Sequence, residues 1–313
     1  MTASISIPQI KYLLALEQTG SFSLAAEACF VTQSTLSTMI KKLETQIGLS
    51  LFDRSSKPIQ MTEEGSALLS QFRQVQREME NLEELIQLTK NEFYGSMRIG
   101  IIPTIAPFLL PLFLDKLVGK YPHVIFSIDE ITTNDITNRV KQRELDVGIL
   151  SLPVNEKDLL QQTLFLEDFL VYDARQPTHK NYKVKDIDPS RLWLLEEGHC
   201  MTTQIEKICV LRKQRQSSSN LVYKSGSILS LLELVKSNKG ITLLPRLATL
   251  RENLLDTNCI YPLMGTTPVR KIGVITHPNF AKKRLLKILV DEILEAVQPI
   301  LSKKKKVQVI NPY

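Results

Sequence analysis

The sequence predicts an α/β protein with a small all-α head, one long connecting helix and a larger two-lobed body. Three observations predict it. Helically spaced apolar side chains dominate the first sixty residues, and a seam of alternating four- and three-residue steps follows. From residue 95 apolar strand segments alternate with helical ones. At 313 residues the chain is long enough for two or three units that each bury a core.

Several classes are set aside by composition. No apolar run approaches the roughly 20 residues that span a bilayer, so no membrane partner is expected. The start, MTASISIPQI, lacks the basic and apolar regions of a secretion signal. That predicts a cytoplasmic protein with reduced thiols, and argues against a periplasmic binding protein. Cys29, Cys200, Cys209 and Cys259 are too scattered for a zinc site of the CxxC type, so no metal and no cofactor are expected. A net charge of +6 is compatible with nucleic acid without establishing it, because part of it comes from the terminal run SKKKK.

In the head, Ser23 is placed to cap a short helix through Ala25, Ala26 and Ala28, small residues that let a second helix approach closely. A turn at Phe30-Val31 follows, and Thr32 is placed to cap the next helix. There Leu36, Met39, Ile40 and Leu43 share an inward face, and Gln33, Ser34, Thr35, Ser37 and Lys41 share the other. This is the pattern of a helix-turn-helix, whose second helix enters the DNA major groove N-terminus first. Gln33 is the base-reading candidate, since its amide can pair bidentately with adenine. Ser34, Thr35 and Ser37 are candidates to donate to phosphates or bases, with Lys41 on the same face. The segment LFDRSSKPIQMTEEG then reads as a wing that carries Arg54 and Lys57 toward phosphates. On helix pattern alone, a small helical domain with a polar face fits as well.

The run AAEACFVTQSTLSTMIKKLETQIGLSLFDR, followed by MTEEG, resembles the winged helix-turn-helix of LysR-type transcriptional regulators. The chain departs from the common pattern at Thr35 and Thr38, where many members carry Pro and Arg; these positions bear on which operator is read. The resemblance implies operator DNA and RNA polymerase as partners. Leu68, Phe72, Val75, Met79, Leu82 and Ile86 form a heptad seam, which predicts a helix paired with another, the alternative being a helix packed on its own domain. In the resembling family this helix dimerises the heads, which implies a two-fold operator. The family also implies a tetramer. The boundaries expected are 1–61 for the head, 62–94 for the linker helix, 95–301 for the body and 302–313 for a basic flexible tail.

In the body, SMRIGII, VIFSIDE and LDVGIL read as strands, with helices over PTIAPFLLPLFLDKLVGKY and TNDITNRVKQRE between them. The pattern returns in RLWLLEEG, SILSLLELVKSNK, GITLLP, KIGVITHP and a closing helix over 281–301. An open sheet with right-handed crossovers is expected. The chain crosses between lobes near Phe165–Tyr172 and returns near Val269, giving lobe I as 95–165 and 270–301 and lobe II as 166–269. This resembles the periplasmic-binding-protein-like effector domain of the same family. Ligands of open α/β sheets bind beyond the carboxyl ends of the strands, where Thr104 and Thr133 fall. Each reads most simply as a helix cap, a role compatible with binding.

Cys200 follows the predicted strand LWLLEE and the turn Gly198-His199, and Cys209 shares an apolar helical face with Ile205 and Ile208. If one helix holds both, their Cα atoms lie roughly 13 Å apart along its axis. A disulfide needs about 4.4–6.8 Å, so joining the thiols requires unwinding. A bond that selects a second conformation is what a redox switch needs, with His199 and Arg270 as candidates to favour a thiolate. On chemistry alone, Cys209 reads first as a core side chain. The segment EEGHCMTTQIEKIC, with IGIIPTIAPFLLP and GITLLP, resembles peroxide-sensing members of the LysR family. That likeness implies hydrogen peroxide as signal, Cys200 as the reactive and Cys209 as the resolving cysteine, and a cellular thiol as reductant. It implies a pocket of Thr104, Thr133, His199 and Arg270. Thr203 departs from the acidic residue commonly found there. Two other expectations stand beside this one: a regulator answering a small metabolite, and a thiol peroxidase that turns over, against which the DNA-binding head and the lack of a peroxidase motif both argue.

Overall fold

The computed structural model describes residues 5–88, 95–176, 181–195, 200–209, 227–250, 255–301 and 307–312. The chain divides into two compact units, Met1–Glu92 and Phe93–Tyr313.

Unit 1 is built from α1 (Ile7–Thr19), α2 (Phe22–Ala28), α3 (Gln33–Ile47), the two-residue strands β1 (Phe52–Asp53) and β2 (Gln60–Met61), and α4 (Glu63–Leu88). Ile10, Leu13, Leu16, Ala25, Ala26, Leu36, Ile40, Leu43, Leu51 and Phe52 make one core, whereas Met39, expected on the same inward face, is only half buried. Ser21, not Ser23, precedes α2, so Ser23 lies inside the helix. Thr32 caps α3 as expected, its hydroxyl accepting from Thr35 N at 3.2 Å. β1 and β2 pair antiparallel to form the wing.

The heptad seam of α4 divides. Phe72 is buried in the unit 1 core and Leu68 packs against it, whereas Val75, Leu82 and Ile86 are exposed. The helix therefore packs on its own domain at its start and carries exposed apolar side chains further on. Gly65, in the first turn of α4, has a steric reason. A Cβ there meets the Leu51 carbonyl oxygen at 2.4 Å, and a backbone atom cannot give way as a flexible side chain does. Gly65→Ala should push α4 off the wing and cost about 1–3 kcal/mol, as overpacking typically does. Urea unfolding monitored through unit 1 checks this; an unchanged midpoint removes the steric argument.

Unit 2 alternates strand and helix: β3 (Gly95–Ile101), α5 (Ala106–Lys120), β4 (Val124–Glu130), α6 (Thr133–Lys141), β5 (Val147–Leu152) and β6 (Leu160–Asp173). Then come α7 (Cys200–Cys209), α8 (Ile228–Ser237), β7 (Ile241–Pro245), β8 (Ile260–Pro262), β9 (Thr267–Thr276), α9 (Lys283–Val297) and β10 (Val307–Val309). The strand order is β4-β3-β5-β9-β6-β7, with β3 parallel to β4 and β5, and β5 antiparallel to β9. β6 changes partners along its length. Leu160–Asp168 pair with β9, and Phe169–Asp173 pair with β7, with β8 on the other edge. One fourteen-residue strand thus links two sheets.

Two expectations fail here. The predicted strand over 191–198 shrinks, among the described residues, to a bridge between Leu192 and Ile241, beside the bond from Trp193 N to the Ile241 carbonyl. A polar contact explains part of this: the Trp193 carbonyl accepts from the Thr242 hydroxyl instead of extending a ladder. The expectation of a flexible 302–313 tail is also corrected. Val307–Val309 form β10, parallel to Thr267–Val269 of β9, and Ile310 and Pro312 are buried. Charge in the lysine run hid a following strand of alternating apolar residues.

Candidate functional site

On the head, Gln33, Ser34, Thr35 and Lys41 are exposed along the first two turns and one face of α3, and Ser37 is half buried. Thr32 organises this end, with its hydroxyl 2.9 Å from Ser34 Oγ and 2.8 Å from Thr35 Oγ1. A ladder of hydroxyls around a helix N-terminus is suited to phosphate and base-edge contact. Lys57 is exposed on the wing. Arg54 is oriented by the domain itself: Nη2 donates to Glu44 Oε2 at 2.7 Å, and the guanidinium lies 5.7 Å from the Phe22 ring centroid. Glu44 went unnoticed in the sequence. Its Oε1 accepts from Leu51 N at 2.9 Å and Phe52 N at 3.3 Å, so one carboxylate ties the reading helix to the wing.

In unit 2, Thr104 and Arg270 are brought together and buried. Arg270 Nη1 donates to Thr104 Oγ1 at 3.1 Å, and Nη2 to the Thr104 carbonyl at 3.3 Å. The guanidinium is 1% exposed and pairs with Glu167, 0% exposed, at 2.8 Å. Glu167 Oε1 also accepts from Leu247 N at 2.8 Å. Next on β6, Asp168 holds Arg246 through two contacts of 2.5 and 2.6 Å, which pushes the already high Arg246 pKa further up. These pairs sit where β6 passes from one sheet to the other. Glu167 and Asp168 were legible only as carboxylates inside the apolar run LFLEDFLVYD, a pattern that requires buried partners.

Neither threonine caps a helix. Ile105 occupies the N-cap of α5, and Thr132 caps α6 by accepting from Asp135 N at 3.3 Å. Thr104 and Thr133 are each one residue from the cap and buried, so their hydroxyls face the protein. Cys200 is the first residue and Cys209 the last of α7. Nine residues of one helix set their Cα atoms about 13 Å apart along the axis, and Cys209 carries a free thiol. Burial pushes that thiol up from 9.0 to about 11, which keeps it protonated and a poor nucleophile. His199 and the side chain of Cys200 lie outside the described residues. Cys29 and Cys259 are buried in the cores of units 1 and 2, and burial raises both thiols.

Among the described residues no group of acidic, histidine or cysteine side chains is placed to hold a metal, and no helix is long and apolar enough to cross a membrane. A winged helix-turn-helix with an exposed reading helix, followed along the chain by an α/β body, defines a DNA-binding transcriptional regulator rather than an enzyme. The chain belongs to the LysR family: residues 7–66 match the bacterial regulatory helix-turn-helix of that family, and residues 90–298 match the LysR substrate binding domain. It is 30% identical over 297 residues to a hydrogen peroxide-inducible genes activator of Pectobacterium carotovorum, covering 94% of this chain and 97% of that one. It is also 30% identical over 295 residues to the regulator EstR of Acinetobacter baylyi, covering 93% and 97%. Full-length OxyR from Pseudomonas aeruginosa, a Cys-to-Asp variant, superposes with a TM-score of 0.75 at 28% identity, over 93% of this chain and 98% of that one.

Proposed function

We propose that this regulator senses hydrogen peroxide through a reversible Cys200–Cys209 disulfide and so controls oxidative-stress genes. The observation that carries the reading is the placement of the two cysteines at opposite ends of α7, where they cannot join while the helix stays wound. The likeness to a peroxide-inducible activator and to OxyR supports it.

The chemistry balances with peroxide as the oxidant. The Cys200 thiolate attacks one peroxide oxygen and the O–O bond breaks. The departing hydroxide takes a proton to become water, leaving a sulfenic acid on Cys200. Once α7 unwinds and frees the Cys209 thiol from the burial that holds it protonated, Cys209 Sγ attacks Cys200 Sγ, the S–O bond breaks, and the departing hydroxide takes the thiol proton to leave as a second water. Two thiols are oxidised to one disulfide and one peroxide is reduced to two waters. In this reading Thr104, Thr133, His199 and Arg270 line the pocket, hydroxyls binding the peroxide oxygens and the guanidinium favouring developing negative charge. A cellular thiol reductant resets the switch in the cytoplasm.

On the DNA side, Gln33, Ser34, Thr35, Ser37 and Lys41 read and grip the operator, and Arg54 and Lys57 hold the flanking phosphates. The exposed Val75 and Leu82, on the heptad seam of α4, support pairing with a second copy, and from dimers a tetramer that works with RNA polymerase. A second reading, a regulator answering a small metabolite, has one observation in its favour: residues 90–298 match the LysR substrate binding domain.

Mass spectrometry of the reduced protein after stoichiometric hydrogen peroxide separates the two. A rapid Cys200–Cys209 crosslink that disappears in Cys200→Ser is the expected result. Both thiols remaining free in protein that still binds DNA transfers the conclusion to the metabolite reading.

A further inference from the structure

The C-terminal segment lies against the helix that carries both cysteines. Gln204, in the middle of α7 and 0% exposed, donates through Nε2 to the Ile310 carbonyl at 2.7 Å and to Ser151 Oγ of β5 at 3.1 Å. One turn on, Lys207 Nζ donates to the Asn311 carbonyl at 3.2 Å. From the other side, Ile310 N donates to the Val269 carbonyl of β9 at 2.8 Å, one residue from Arg270. Ile310 itself is 7% exposed, and β10 covers Thr267 to Val269. The tail is therefore wedged between α7 and the strand that carries Arg270.

We propose that residues 307–312 are a latch that holds α7 wound, and that linking Cys200 to Cys209 releases it. A ten-residue helix is too short to be stable by itself, so contacts to the rest of the protein keep it formed. Met201, Ile205 and Ile208 supply one buried face, and Gln204 and Lys207 supply the grip on the tail. Closing roughly 13 Å between the cysteine Cα atoms to disulfide distance requires α7 to unwind across Gln204. That withdraws the donor from the buried Ile310 carbonyl, and a buried carbonyl without a partner is driven toward water.

The grip is poised to open. Gln204 Oε1 is buried and accepts no hydrogen bond among the described residues. Past Leu301, which with Ile300 packs on the core, the sequence up to β10 is Ser302 followed by four lysines, with no apolar residue among them. The three-residue β10 ladder, the buried Ile310 and Pro312 and the two hydrogen bonds from α7 carry the attachment, the kind of small element that opens before the rest of a fold. Release uncovers the β9 edge at Thr267–Val269, a surface that differs between the reduced and oxidised protein.

The oxidative trigger rests on the peroxide reading, whereas the coupling of tail to helix does not, and the experiment keeps them apart. The full chain is compared with Gln204→Leu and with a chain ending at Ser302, following Cys209 alkylation by iodoacetamide and amide exchange over 307–312. In reduced protein, losing the tail should speed Cys209 alkylation about tenfold, within the usual range of coupling between sites. Gln204→Leu, which keeps the chain complete, should speed both alkylation and exchange at Ile310. After peroxide, crosslinked wild-type protein should exchange over 307–312 like a free peptide. A crosslink with the tail still protected overturns the latch and leaves peroxide sensing intact. With no crosslink, peroxide sensing fails and the reduced-state variants decide the latch: unchanged Cys209 alkylation in both overturns it.

Discussion

Glu167→Gln should lower the unfolding free energy of unit 2 by about 3–5 kcal/mol, because it strands a buried guanidinium without its counter-charge. Arg270 and Glu167 are 1% and 0% exposed, so water cannot solvate the charge that remains. Thr104 offers only a hydroxyl and a carbonyl as substitutes. The Leu247 amide hydrogen bond also weakens, since Glu167 Oε1 accepts from it. The double variant Glu167→Leu with Arg270→Met should recover most of the loss, since replacing a whole buried pair by packed apolar groups is often neutral or better. Asp168→Asn is a milder control, because the side chain of its partner Arg246 is 23% exposed and finds water. Urea denaturation of the three proteins checks the ordering. Equal losses for Glu167→Gln and Asp168→Asn contradict the argument from burial.

Leu36→Ala should cost unit 1 about 2–5 kcal/mol, the usual range for emptying a buried leucine site. Leu36 is fully buried in the unit 1 core, and a head of this size has little stability to spare. DNA binding should fall in step with the folded fraction, for every sequence alike. Gln33→Ala, one turn earlier and exposed, tests the proposed reading role instead. It should leave folding untouched and cost about 1–3 kcal/mol of discrimination at one base pair. Circular dichroism melting alongside titration with matched and mismatched duplexes separates the two effects. A Gln33→Ala protein that weakens binding uniformly without loss of sequence preference removes Gln33 from base reading.

The parts that could be read directly are those in which neighbours along the chain interact. The α3 face of Leu36, Ile40 and Leu43 repeats at helical spacing, and Thr32 stands where a cap must stand, so both the element and its polarity follow from Thr32 and the 15 residues after it. The alternation of strands and helices from residue 95 is of the same kind, since each segment carries its own period. At Thr132 and Thr133 local reasoning misplaced the cap by one residue, because either hydroxyl satisfies the same pattern and only backbone geometry selects between them. The segment 191–198 shows the opposite failure. Its apolar residues fit a strand, but no neighbouring strand accepts more than the Leu192 bridge among the described residues.

The sequence by itself determined the class of this protein, because helix period, cap and strand alternation are local and each is written within a few residues. Tertiary structure alone decided what those elements do for one another. Glu167 meets Arg270 across 103 positions, Gln204 meets Ile310 across 106, and in a tail that reads as flexible, residues 307–309 form a strand on β9 and residues 310 and 311 meet the cysteine helix. Buried charges and amides must find partners wherever the fold brings them, and the identity of the partner depends on which strands lie side by side, not on spacing along the chain.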